Sequence, residues 1–196
     1  RMNSGAFLSL EGEGFQNVKN FFNEMDIDAK DAVDGHVQMP IYRGAEVDEL
    51  IDTKKVYDVS FRKLLHHLRA PEEQVYELPD AIEADLRPYQ NTGYQWFKSL
   101  SSYHLGGILA DDMGLGKTLQ SIAYITSEQH GKPHLIVAPS SVVYNWKNEC
   151  EKFAPSLKVA ILTGTPQERK ERIESERDAD VWITSYTTLR QDIAEY

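Results

Sequence analysis

Residues 111–118 read DDMGLGKT, and the last five, Gly114, Leu115, Gly116, Lys117 and Thr118, have the types and spacing of the end of a phosphate-binding loop. Two glycines let the backbone turn tightly and bring its N–H groups against phosphate oxygens with no Cβ in the way. A lysine at the head of a helix can neutralise the β- and γ-phosphates of a nucleotide, and the hydroxyl after it can ligate Mg²⁺. The helix adds unpaired N–H groups and the positive end of its dipole. The general pattern opens on a glycine six residues before the lysine, and here Asp111 holds that place. A carboxylate is disfavoured there unless it points away from phosphate or pairs with a cation. The alternative is an ordinary strand-to-helix turn, and the flanking pattern weighs against it.

Such a loop needs a strand before it and a helix after it. The apolar run GGILAD (106–111) and the amphipathic segment KTLQSIAYITSEQ (117–129) answer that need. The same alternation continues through HLIVAP (134–139), KVAILTG (158–164) and DVWITSY (180–186), followed by SSVVYNWKNECEKF, PQERKERIESE and TTLRQDIAEY. Short apolar runs alternating with amphipathic segments predict an α/β fold around a mostly parallel sheet over residues 81–196. Upstream, AFLSL (6–10) and MPIYRG (39–44) read as short strands. VKNFFNEMDI (18–27) and VSFRKLLHHLRA (59–70) carry helix-spaced apolar residues, the second with Phe61, Leu64, Leu65 and Leu68 on one face. Residues 1–80 are therefore expected to form a small α+β module. Pro71, Pro79 and the acidic stretch between them suggest a linker and a boundary near residue 80. Adjacent His66 and His67 point about 100° apart on a helix, with no third ligand at metal-binding spacing, so a metal site is not expected there.

The chain has 196 residues and a net charge of −10, of which −7 falls in residues 1–80 and −3 in the rest. That balance argues against a protein that coats nucleic acid through general basicity, while leaving local phosphate contacts open. No apolar run approaches the roughly 20 residues of a membrane-spanning helix. The first residues, RMNSGAFLSLEGEG, lack a signal-peptide pattern. Cys150 is the single cysteine, which excludes an intramolecular disulfide and fits a reducing compartment. The expectation is a soluble, cytoplasmic protein.

DDMGLGKT, preceded by LRPYQ (86–90) and followed by LIVAPSSVVYNW and ITSY in the same order, resembles the Snf2 family of superfamily 2 helicase-like ATPases. That family opens its loop on Asp, so the resemblance makes Asp111 a subfamily marker. It implies a RecA-like lobe, ATP and Mg²⁺ as ligands, and DNA-stimulated ATP hydrolysis that drives translocation along double-stranded DNA and remodels bound proteins. To the cytoplasmic expectation it adds association with the nucleoid. It assigns ATP contacts to Arg87, Gln90, Asp111, Met113, Gly114, Leu115, Gly116, Lys117 and Thr118. Gln90 reads the adenine edge with help from Arg87 and Tyr89, Lys117 serves catalysis, and Thr118 takes the metal. It places double-stranded DNA backbone contacts at Pro139, Ser140, Ser141, Gly164, Thr184 and Ser185, with Tyr186 beside them. Helix N-termini and hydroxyls there can hold phosphate without reading base sequence. An N-cap role for Ser140 is the plain alternative, and Trp96 and Phe97 are expected to be helix packing. The upstream region is similar to the accessory segment of bacterial Snf2 proteins. A solvated acidic face is its plainest account, and docking on RNA polymerase or another DNA-bound protein the functional one.

The resemblance also implies parts that these residues do not supply: a carboxylate pair of DEAH type, an arginine finger from a second lobe, and the strands that normally flank GGILAD. The expectation is the amino-terminal part of a longer motor, unable by itself to turn over ATP, with GGILAD lacking its usual sheet neighbour.

Overall fold

The computed structural model describes residues 13–27, 36–50, 55–70, 75–128 and 131–196. The chain divides into two compact units at Arg69/Ala70. AFLSL lies outside the described residues.

In the first unit, helix α1 (Glu13–Glu24) is followed by a short 3₁₀ turn (Ile41–Arg43), α2 (Gly44–Leu50) and α3 (Val59–Arg69). Met25, Leu64 and Leu65 are buried, as the helical spacing of the last two requires. MPIYRG is not a strand. The backbone coils there because Arg43 N–H bonds back to the Pro40 carbonyl at 3.0 Å, and the Arg43 guanidinium donates to the Met25 carbonyl at 2.8 Å. Asp48 gathers the unit's polar contacts, accepting from the Tyr57 hydroxyl, Lys55 and Arg69. The Tyr57 hydrogen bond, with help from the two cations, holds the Asp48 carboxyl down at about 2; burial and that carboxylate push Tyr57 up to about 12.

In the second unit, α4 (Pro88–Ser102) and α5 (Lys117–Ser127) precede β1 (His134–Ala138) and α6 (Val143–Phe153). Then come β2 (Val159–Ile161), α7 (Pro166–Ser175), β3 (Val181–Ser185) and α8 (Tyr186–Gln191). The strands form one parallel sheet in the order β1-β3-β2, with Ala138 opposite Ser185 and Ile161 opposite Ile183. Val181 and Ile183 on the central strand pack with Ile136, Val143 and Ile161, the near-continuous apolar strand that a sheet covered on both faces demands. A second cluster joins Tyr94, Leu119, Ile122, Ala123, Cys150 and Ala154 between α4, α5 and α6. Proline at N1 opens α4 and α7. Thr165 and Glu168 close a capping box on α7.

Two expectations change here. GGILAD is not a strand and joins no ladder among the described residues, in keeping with the expected lack of its sheet neighbour, and Ile108 is 87% exposed. An apolar strand sequence cannot form a strand without a neighbour to take its hydrogen bonds. The other change concerns the stretch read as a linker. Residues 75–86 lie on the second unit, with Tyr76, Leu78, Ile82 and Leu86 against its helical core. The Gln95 amide grips both backbone groups of Tyr76, at 2.6 and 2.8 Å, and the Tyr94 hydroxyl donates to the Glu77 carbonyl at 2.8 Å. Apolar residues at alternate positions, hidden among acidic ones, override the linker composition.

Candidate functional site

Gly114 and Gly116 have φ of +88° and +80°, in the left-handed region that a side chain strains. Gly116 is the N-cap of α5 and turns the chain so that Lys117 and Thr118 occupy the first helical turn. Thr118 is half-buried there. The Lys117 ammonium folds back into the loop, donating to the Asp111 carbonyl at 2.6 Å and the Asp112 carbonyl at 2.8 Å. It therefore lies where the loop curls on itself, held by neutral acceptors that an anionic oxygen can outcompete. The Asp111 side chain is half-buried, whereas Met113 is 96% exposed on the outer rim.

Gln90 is 7% exposed and faces this loop from the first turn of α4. Its Oε1 accepts from Arg87 N–H at 2.9 Å and its Nε2 donates to the Leu115 carbonyl at 3.1 Å. Each amide atom retains one further hydrogen-bonding position. The structure thus brings Gln90 to the phosphate loop, as a clamp between α4 and the loop. Tyr89 lies beside a cavity of about 460 Å³ that also touches Trp96, Leu109, Asp111 and Leu115. Arg87 is exposed. Trp96 and Phe97 are half-buried, with tilted ring contacts from Trp96 to Phe97 and from Phe97 to Tyr124, in keeping with packing roles.

The cradle fits a nucleotide phosphate. A Cβ at Gly116 would strike Gln90 Nε2, α5 opens without a side-chain cap, and lysine and hydroxyl stand at its head. Mg²⁺ would find Thr118 there. The described residues hold no cluster of three or more acidic, histidine or cysteine side chains able to bind a metal ion by themselves.

The second group of expected residues is split by the structure. Pro139, Ser140 and Ser141 are exposed where β1 ends, and Ser140–Val142 form a 3₁₀ turn leading into α6. Ser140 is not an N-cap; Pro139 precedes that turn. Gly164 is exposed with φ +111°, but its geometry has a local cause, since a Cβ would meet Glu168 of the α7 capping box. Thr184 and Ser185 are not presented to a ligand. Thr184 is fully buried, its hydroxyl turned to the Leu162 carbonyl at 3.4 Å, and Ser185 Oγ accepts from Thr188 N–H at 3.2 Å as the N-cap of α8. Both faces of a central strand are covered, so alternation along β3 does not bring either hydroxyl out. Tyr186, one residue on, is 61% exposed.

Sequence reasoning missed three residues of the second unit. Tyr144 is exposed beside the serines. Arg169, 5% exposed, makes a two-pronged ion pair with Asp192 and donates to the Gly164 carbonyl at 2.7 Å. That carboxylate raises the Arg169 pKa, and Arg169 in turn lowers that of Asp192. Gln120 is fully buried, with no hydrogen-bond partner for either amide atom among the described residues. Arg169 and Gln120 act through contacts distant in sequence, which local spacing does not reveal.

Comparison with known proteins places this geometry. A family model described as SNF2-related domain matches residues 89–196, and one described as bacterial SNF2 helicase associated matches residues 1–79. Helicase SWR1 of Candida albicans is 35% identical over 96% of this chain, which spans 12% of that protein. TATA-binding protein-associated factor MOT1 of Saccharomyces cerevisiae is 42% identical over 61% of this chain, which spans 7% of it. Among solved structures, the Sulfolobus solfataricus SWI2/SNF2 ATPase core in complex with double-stranded DNA matches 61% of this chain and 25% of its own. It does so at 38% identity and a TM-score of 0.52.

Proposed function

The chain belongs to the SNF2-related family of helicase-like ATPases, and from that membership we propose that its phosphate loop binds ATP with Mg²⁺ inside a DNA-stimulated motor. That motor tracks along double-stranded DNA without separating the strands and displaces or remodels proteins bound to it. The observation that carries the reading is the Lys117 ammonium held within a two-glycine loop at the head of α5, faced by Gln90. Lys117 exchanges two backbone carbonyls for phosphate oxygens, a stronger, charge-assisted contact. Gln90 offers its remaining donor and acceptor to the adenine edge, and Tyr89 borders the adjoining cavity. Thr118 contributes a ligand to Mg²⁺, which when bound neutralises charge across the terminal phosphates.

Pro139, Ser140, Ser141 and Gly164, with Tyr186, form the exposed group at the carboxyl ends of the strands, where open α/β sheets place ligands. We assign them the DNA backbone, supported by the DNA-bound state of the Sulfolobus solfataricus relative. Residues 1–80 are assigned an accessory role toward a DNA-bound partner, supported by the family match over 1–79. The carboxylates that complete metal binding and the arginine finger lie, in this reading, outside the chain's described residues.

The test is ATP hydrolysis by the protein carrying this chain, with and without double-stranded DNA. Hydrolysis is expected to rise with DNA and to vanish in Lys117→Ala. Turnover indifferent to both overturns the proposal.

A further inference from the structure

The two helices that frame the loop each send a glutamine onto a glycine of the other. From α4, the Gln90 amide lies against Gly116 and bonds to the neighbouring Leu115 carbonyl. From α5, Gln120 lies against Gly93 so closely that a Cβ at 93 would strike its Oε1. Gly93 follows Gln90 by three residues, and Gln120 follows Gly116 by four, so both members of each pair share one helix face. Two contacts a turn apart fix both the separation of α4 from α5 and their sliding register.

Gln120 is costly as packing alone. It is fully buried, and neither amide atom has a partner among the described residues. A leucine of similar volume would fill the space without that desolvation penalty. What the amide provides is an oxygen that can lie against the Cα hydrogens of a glycine, closer than a methyl group could. Neighbouring Ile122 and Ala123 complete the helix packing without polar atoms, so the amide is specific to the Gly93 contact.

We propose that Gln120 and Gly93 are positioning residues for the nucleotide. They set the distance of Gln90 from the phosphate loop, so that one nucleotide engages base-facing amide and loop together. This rests on the ATP reading above.

The experiment titrates the chain with ATP and, separately, with inorganic tripolyphosphate, both with Mg²⁺, and records the thermal midpoint. Tripolyphosphate reads the loop alone; ATP reads the loop and its alignment with Gln90. In Gln120→Leu the midpoint should stay or rise and tripolyphosphate affinity should hold within about twofold, while ATP affinity falls about tenfold, as loss of alignment without loss of the loop requires. Gly93→Ala should lower ATP affinity at least as much. Unchanged ATP affinity in Gln120→Leu overturns the proposal. So does a parallel loss of both ligands, or a variant that fails to fold, since either shows a purely structural role. An unaltered chain that binds tripolyphosphate and ATP equally well overturns it too. If the unaltered chain binds neither, the nucleotide reading itself falls, and the inference with it.

Discussion

Lys117, Gly114 and Gly116 were legible in the sequence because their chemistry is local: the loop's turn and the start of a helix are set by adjacent residues. The sequence offered Gln90 only as an expected adenine contact and not as a clamp, because its Leu115 contact spans 25 positions. Gly116 bears both constraints, a positive φ and the Gln90 contact. Gly116→Ala should therefore cost about 1–3 kcal/mol in strain and move Gln90, read as lower stability in denaturant and loss of ATP binding together. Cys150 gives a prediction of another kind. Burial first, then the charges of Glu149 and Glu151, push its thiol up to about 11, and it is fully buried in the α4–α5–α6 cluster. At neutral pH it should resist a thiol reagent in the native chain and react at the ordinary rate in denaturant.

At the scale of elements, periodicity gave the helices and three of the four expected strands in the second unit. It over-read GGILAD as a strand because a strand is a property of a pair; the missing neighbour was expected from the family resemblance, not from the apolar pattern. It failed at residues 75–86 for the converse reason: an acidic, proline-flanked segment docks once Gln95 supplies the backbone partners. Gln95→Ala should release that strap and speed amide exchange at Tyr76 and Glu83, the latter bonded to the Phe153 carbonyl at 2.8 Å. The Arg169–Asp192 pair ties α7 to the end of α8. Removing one partner leaves a buried charge unpaired, so Asp192→Asn should destabilise the second unit by about 3 kcal/mol. Because Arg169 lowers the Asp192 pKa, this contribution is full above the ordinary carboxylate range and fades as pH falls through the folded value. The stability gap between native and variant chains should therefore close in acid, as denaturant titrations at neutral and low pH would show.

For the whole molecule, composition and motif order were enough to read an accessory part and an ATPase part, and the comparisons match two families to 1–79 and 89–196. The compact units part earlier, at Arg69/Ala70, since the apolar residues between 75 and 86 side with the helical core of the second unit. The chain spans 7–12% of the two curated relatives described and 25% of the solved ATPase core, so the motor's turnover is a property proposed of the whole protein. Nucleotide binding is proposed of the residues present. The most direct measurement is calorimetric titration of ATP with Mg²⁺ into the chain and into its Lys117→Ala variant. One saturable site, lost in the variant, with no phosphate released by either, is the predicted result. Equal binding by the two, or no binding by the unaltered chain, would contradict a nucleotide site at this loop.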